Sequence, residues 1–124
     1  MYEIVAGIDK SEARGTAIAE AITEIPIDAS QVRVTLLHDF EENPEGASVD
    51  QVASIRRARE VLEEAGVEVS LEESSGEPAD AILRLADEED ADMIVVAGRK
   101  RTPTGKVLFG SVTQSVILGT DRSV

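Results

Sequence analysis

The densest chemistry in the sequence lies between residues 98 and 113. Arg99, Lys100, Arg101 and Lys106 put four of the chain's 12 basic residues into one eight-residue stretch. The stretch opens at Gly98, passes Gly105 and closes on Gly110-Ser111-Val112-Thr113. Glycines let a backbone approach a ligand closely, and a helix starting at Ser111 offers free N–H groups, hydroxyls and the positive end of its dipole. Phosphate is the guest that such a loop suits. The alternative is structural: a glycine-rich turn into a helix, with Ser111 as its cap and the basic residues paired with an acidic body. The loop is not a Walker P-loop, because six residues separate Gly98 from Gly105 and Lys106 is followed by Val107 rather than serine or threonine.

A second cluster, Asp9-Lys10-Ser11, follows the first apolar run. Asp9 is an acceptor for ligand hydroxyls or amines, and Ser11 has the type and position of a helix N-cap. His38 with Ser11 and Asp9 has the composition of a nucleophilic triad. One histidine at a strand end is more often a hydrogen-bonded structural residue, and that is the reading adopted here. The acidic run Asp87 to Asp92 reads as a solvated face with no function, and no group of residues has metal-ligand spacing.

These residues are carried by alternating strands and helices. Ile4 to Ile8 is short, apolar and unalternating, the mark of a buried strand. Ile18, Ala21, Ile22 and Ile25 give the stripe of an amphipathic helix closed by Pro26 and the Asp28-Ala29-Ser30 turn. A second strand covers Val32 to His38, with burial expected mainly toward its C-terminal end. Asn43-Pro44-Glu45-Gly46 is a loop, and Ser48 with Gln51 has the capping-box spacing that opens a helix. Val52, Ile55, Ala58, Leu62 and Ala65 form its stripe. Val67, Val69 and Leu71 alternate with Glu68, Ser70 and Glu72, as in an edge strand with one wet face. A third helix runs through Ala79, Ile82, Leu83 and Ala86. Met93 to Ala97 is apolar on both faces, hence a central strand, and the last helix runs from Gly110-Ser111 to Gly119. Parallel neighbours need crossover helices, so the order implies an α/β three-layer sandwich. Burial orders the parallel sheet 3-2-1-4, and the ligand crevice then lies beyond strands one and four, where the winding reverses.

The chain has 124 residues, read as a single domain over residues 1–124. Its 25 acidic side chains against 12 basic ones give a net charge of −13 and a pI near 4.4, which opposes binding to nucleic acid or to an anionic membrane. Tyr2, Phe40 and Phe109 are the aromatic residues, too few for base stacking. There is no cysteine, so disulfides and thiolate chemistry are excluded. No apolar stretch approaches the roughly 20 residues of a membrane helix, and the N-terminus has no signal-peptide pattern, so a cytoplasmic location is expected. Lysine occurs only at positions 10, 100 and 106, and so acidic a surface suggests a saline cytoplasm, where about 1 M salt screens self-repulsion.

The sequence resembles the universal stress protein family. The resemblance is carried by Ile8-Asp9-Lys10-Ser11, Leu36-Leu37-His38, Gly76-Glu77-Pro78-Ala79, Ala91-Asp92-Met93-Ile94-Val95-Val96, and Gly98 through Gly110-Ser111-Val112-Thr113, nearly the whole chain. It implies a Rossmann-like, adenine nucleotide alpha hydrolase-like fold. It further implies a site for ATP or another adenine nucleotide, with magnesium accompanying the phosphates. By that resemblance Gly98 is the first glycine of the family's G-x2-G-x9-G-[ST] loop and Gly110-Ser111 its close. Arg101 stands at the second glycine position and the loop is one residue shorter, so its backbone takes a different path. Asp9 would touch the adenosine, Asp39 would occupy the place whose backbone contacts adenine, and Gly7, Ile8 and Ala97 would line the wall. Arg99, Arg101, Gly105, Lys106, Ser111, Val112 and Thr113 would serve the phosphates. The family's fifth strand is represented only by Thr120 to Val124, a truncated strand, so a homodimer or larger homo-oligomer is expected to cover the fourth strand. Two readings follow: a nucleotide-responsive stress regulator without dedicated catalysis, or a family member without nucleotide that works as a dimeric scaffold.

Overall fold

Strand β1 (Tyr2–Gly7) starts two residues before the apolar run, and Ile4, Val5 and Ala6 are buried within it. Ile8 lies beyond its end, although its N–H still donates to the Leu37 carbonyl at 2.9 Å. The computed structural model describes residues 1–41, 46–97 and 110–124. Gly98, Arg99, Lys100, Arg101, Gly105, Lys106 and most of the expected 43–46 loop therefore lie outside the described residues.

Strand β2 (Val32–Asp39) pairs in parallel with β1 from Tyr2↔Val32 to Gly7↔Leu37. Its unbroken burial runs from Val34 through His38, toward the C-terminal end as expected; Val32 is buried as well, and helices on both faces enclose even Thr35. Strand β3 (Glu68–Ser74) pairs with the outer side of β2 and alternates exposed and half-buried positions, as a one-sided edge strand should. Strand β4 (Met93–Val95) pairs with β1, giving the parallel order β3-β2-β1-β4. The apolar run does not make β4 a central strand extending to Ala97. Val96 and Ala97 leave the ladder, and the outer edge of β4 is met at one point, where the Ile94 N–H donates to the Ser123 carbonyl at 2.8 Å.

Helices α1 (Glu12–Thr23) and α2 (Ala53–Glu64) pack on one face of the sheet against Ile4, Ala6, Val34 and Leu36. Helix α3 (Pro78–Glu88) and Val116 of α4 (Ser111–Gly119) pack on the other against Val5, Leu37 and Ile94. Successive strand side chains point to opposite faces, so β1 supplies both cores and the three layers follow. Small residues misled the stripes. Ala21 and Ala65 are exposed, while Gly15 and Ala19 are buried, because α1 turns its smallest side toward α2.

Helix starts and stops follow local chemistry. The Ser11 hydroxyl accepts from the Arg14 N–H at 3.2 Å and caps α1. Helix α1 ends at Thr23, before Pro26, and Asp28 accepts from the Ser30 N–H and hydroxyl at the start of a short 3-10 turn, Ala29–Gln31. Those two bonds hold the Asp28 carboxyl below its ordinary pKa. The Gln51 side chain accepts from the Ser48 N–H at 2.9 Å, but the turn so closed is another 3-10 piece, Val49–Gln51. Val52 is extended there, and α2 begins only after it.

The acidic run is not simply a solvated face. Asp92 accepts from the Glu3 N–H at 2.8 Å, and Arg122 reaches Asp87 at 2.7 Å while donating to the Ala91 carbonyl at 2.8 Å. At the same pole Arg33 pairs with Glu3 at 2.7 Å and lies 4.0 Å from Glu68 and Glu89, a carboxylate surround that raises its pKa, the hydrogen bond to Glu3 contributing most. Among the described residues no helix is long and apolar enough to cross a membrane.

Candidate functional site

The winding of the sheet reverses between β1 and β4, so the helices that follow these strands go to opposite faces and leave a crevice at the strand ends. A cavity of about 390 Å³ lies there, within the roughly 300–1,000 Å³ usual for small-molecule sites. Gly7, Ile8 and Asp9 enter it from β1, Leu37 to Phe40 from β2, and Val96 and Ala97 from the end of β4. Gly110, Ser111, Val112 and Thr113 close it at the start of α4. Every expected site residue that is described therefore borders this one cavity.

Gly7 is fixed by packing. A β-carbon at this position would lie 2.6 Å from Ile82 Cδ1 and 3.4 Å from Val96 Cγ1, so with any side chain here the end of Ile82 would have to move aside.

Asp9 is held from three directions. Its Oδ1 accepts from the Ser11 N–H at 2.9 Å, its Oδ2 accepts from Arg14 Nε at 2.7 Å, and its backbone carbonyl accepts from the Ser54 hydroxyl. Ser54 is fully buried on α2, and its carbonyl oxygen would be 3.0 Å from a β-carbon at position 15. Gly15 therefore lets α1 and α2 approach, and that approach brings the Ser54 hydroxyl to the chain behind Asp9.

Asp39 borders the cavity with each carboxylate oxygen already accepting a bond from the protein. Oδ1 accepts from the Glu41 N–H and Oδ2 from the Ser74 hydroxyl, both at 2.7 Å, and Phe40 N–H donates to the Ser74 carbonyl at 2.9 Å. These bonds fix the backbone of residues 39–41, with Glu41 in a left-handed conformation at φ 60°. His38 is buried, with Nδ1 2.7 Å from the Ile8 carbonyl and its ring edge-on to Phe40 at 4.8 Å. A carbonyl only accepts, so in this bond Nδ1 is the donor, and the ring is tied to the backbone at the end of β1.

The Thr113 hydroxyl donates to the Ala97 carbonyl at 2.8 Å. It ties the end of β4 to the first turn of α4, so what this residue has left to donate to a ligand is its backbone N–H. Gly110 is extended ahead of α4, and the first turn holds no acidic residue. The leading N–H groups of an α-helix have no intrahelical acceptor, so the cavity has a donor-rich end at α4 and a carboxylate at Asp9. No group of His, Cys, Asp and Glu among the described residues could hold a metal ion.

The description of the universal stress protein family matches residues 1–124, the entire chain. The chain belongs to the universal stress protein family. Over 64 residues it is 33% identical to a universal stress protein of Methanocaldococcus jannaschii, an alignment covering 52% of this chain and 38% of that protein. The match thus spans well under half of that relative's length. The structure of a universal stress protein from Archaeoglobus fulgidus is 30% identical and superposes with a TM-score of 0.77, over 100% of this chain and 96% of that one. A universal stress protein in complex with cAMP is 27% identical, with a TM-score of 0.73 over 99% of this chain and 93% of that one.

In this universal stress protein the sequence alone missed several cavity residues: Arg14, Phe40, Pro78, Ile82 and, behind the wall, Ser54. Arg14 was within reach of inference, since the first turn after an N-cap lies beside the preceding loop. Ser54 carried no signal, because its partner is 45 residues away in sequence.

Proposed function

We propose that this universal stress protein binds an adenine nucleotide, with ATP as the expected ligand, and acts as a nucleotide-responsive regulator without dedicated catalysis. The observation that carries the reading is the lining of the cavity, which joins the Asp9 carboxylate, suited to hydroxyls, and the N-terminus of α4, suited to phosphate. The relative in complex with cAMP, similar over almost the whole chain, supports the adenine class. Gly98, Arg99, Arg101, Gly105 and Lys106 would complete the phosphate end. Among the described residues no group of three or more His, Cys, Asp or Glu could hold a metal ion, so magnesium would arrive on the phosphates. The protein is further read as a cytoplasmic homodimer or higher homo-oligomer adapted to salt. That assembly rests on the β4 edge, which Ser123 meets at one point only.

The rival reading, a dimeric scaffold without nucleotide, is favoured by Arg101 at the family's second glycine position. Mass spectrometry of the purified protein after gentle denaturation, followed by calorimetric titration with AMP, ADP, ATP and cAMP in molar KCl, separates the two. Binding by the wild type, abolished in Gly110→Val and weakened in Lys106→Ala, is the expected result. Failure of all four to bind, with no nucleotide carried through purification, leaves the scaffold. Light scattering that shows a stable monomer at micromolar concentration would contradict the assembly.

A further inference from the structure

We infer that Arg122 is a latch that keeps residues 120–124 against the outer edge of β4, and that its release opens that edge to a second copy of this chain. The inference rests on the assembly reading above and names what regulates it; it needs no nucleotide.

Among the described residues the outer edge of β4 is closed by one bond, from the Ile94 N–H to the Ser123 carbonyl at 2.8 Å. A backbone N–H has a single proton to donate, so while Ser123 accepts it a strand of another molecule cannot. The segment and a second copy therefore compete for the same group. Apolar packing does not hold the segment, since Ser123 and Val124 are both exposed. Its hold is polar and falls on Arg122. Nε donates to the Ala91 carbonyl at 2.8 Å, and the guanidinium reaches Asp87 at 2.7 Å and Asp90 at 3.5 Å. The Arg122 N–H donates to the Thr120 hydroxyl at 3.1 Å, in the bend that brings Ser123 alongside Met93.

The place that receives this guanidinium is in want of a cation. Helix α3 ends on Asp87 and Glu88 with no basic residue in its last turn, and Glu89 and Asp90 follow. Carboxylates at the negative end of a helix dipole are unfavourable, and Arg122 brings the opposite charge from another part of the chain. Gly119 guides it there. A β-carbon at that position would lie 2.7 Å from Leu83 Cδ1, so the end of α4 sits close on α3 and leads the segment to the same turn. The latch can also open, because the side chains of Asp87 and Asp90 are well exposed and exposed ion pairs hold weakly. Opening frees the Ile94 N–H, while Ile117 and Leu118, exposed in the last turn of α4, offer apolar surface for a second copy to cover.

The test reads amide hydrogen exchange at Ile94 together with sedimentation, for the wild type, Arg122→Met and Arg122→Lys, at one fixed salt concentration and over a range of protein concentrations. Methionine keeps the apolar stem, and lysine keeps the charge without the planar fork. Exchange at Ile94 should be slow in the wild type at every concentration. In dilute Arg122→Met it should be about tenfold faster, the scale of one hydrogen bond to a charged group, and it should slow again as concentration rises and a second copy covers the strand. Self-association should tighten by about tenfold for each copy whose edge is freed, with Arg122→Lys between the two. If Arg122→Met does not fold, Asp87→Asn, which removes one partner and leaves the Ala91 bond, carries the same test with about threefold in place of tenfold. Unchanged exchange at Ile94 overturns the latch and leaves the assembly reading standing. Faster exchange with unchanged association overturns the inference as well, since the copies then meet through another surface. If neither the wild type nor the variants associate at any concentration, the assembly reading falls and this inference falls with it.

Discussion

The tightest approach in the cavity wall, between Gly7 and Ile82, can be tested by a double-mutant cycle. In Gly7→Ala the new methyl would meet Ile82 Cδ1 at 2.6 Å and Cγ1 at 3.3 Å, in a core where Ile82 is 4% exposed. Overpacking of this kind costs about 2 kcal/mol. Replacing a strand glycine returns about 0.7 kcal/mol, since the backbone at Gly7 is not left-handed. The net loss is about 1 kcal/mol. Ile82→Val deletes only Cδ1 and, on its own, costs about 1 kcal/mol. Together the two changes remove the clash and let the alanine methyl fill the space, so the double variant should lose no more than about 0.5 kcal/mol, a coupling of about 1.5 kcal/mol. For a 124-residue chain the unfolding entropy is about 0.26 kcal/mol/K, so 1 kcal/mol moves Tm by about 4 °C. Calorimetric melting should show each single variant about 4 °C lower and the double variant within about 2 °C of wild type. A double variant about 8 °C lower, the additive result, would refute the claim that Ile82 is what requires glycine at this position.

Ser54→Ala removes the hydroxyl that anchors the Asp9 backbone; about 1.5 kcal/mol of lost hydrogen bonding, offset by about 0.4 kcal/mol of helix propensity, should lower Tm by about 4 °C. An unchanged or raised Tm would show that this bond does not hold in solution. The lowered pKa of Asp28 means that its contribution is present above the ordinary value of 3.8 and is lost as pH falls through the lower folded value. The Tm gap between wild type and Asp28→Ala should therefore be constant from about pH 5 to 7 and close below about pH 4; a gap that widens in acid would contradict it. With a net charge of −13, raising KCl from dilute buffer to about 1 M should raise Tm by screening repulsion. A flat or falling curve would remove the saline reading.

Patterns that depend on the number of apolar atoms were legible in the sequence. Ile4, Val34, Leu36, Ile55, Leu62 and Ile82 are all buried as read, and with them came the strand order and the place of the crevice. Alanine and glycine were not, because their sides carry too little apolar surface to decide which way a helix turns. Gly15 is buried by the close approach of α2 and Ala19 lies in the same core, while Ala21 and Ala65 face water. Of the site, the residues that enter by backbone position were legible, such as Gly7, Asp9 and Gly110. Side-chain commitments were hidden. The Asp39 carboxylate accepts from Ser74, the Thr113 hydroxyl donates to Ala97, and the Asp9 carbonyl accepts from Ser54, all choices made only once distant segments meet.

The order β3-β2-β1-β4 also sets a timetable for synthesis. Strand β1 pairs with β2 on one side and with β4, some 90 residues later, on the other. A ribosome adding roughly 5–20 residues per second takes about 3–10 s to pass from the end of β2 to β4. Through that interval one side of β1 carries unpaired N–H and carbonyl groups beside Ile4, Val5 and Ala6, a run almost wholly enclosed in the finished protein. Of the four strands of this sheet, the one made first is thus among the last to be enclosed, and the nascent sheet is most open to pairing with its neighbours on a polysome until Met93-Ile94-Val95 arrives.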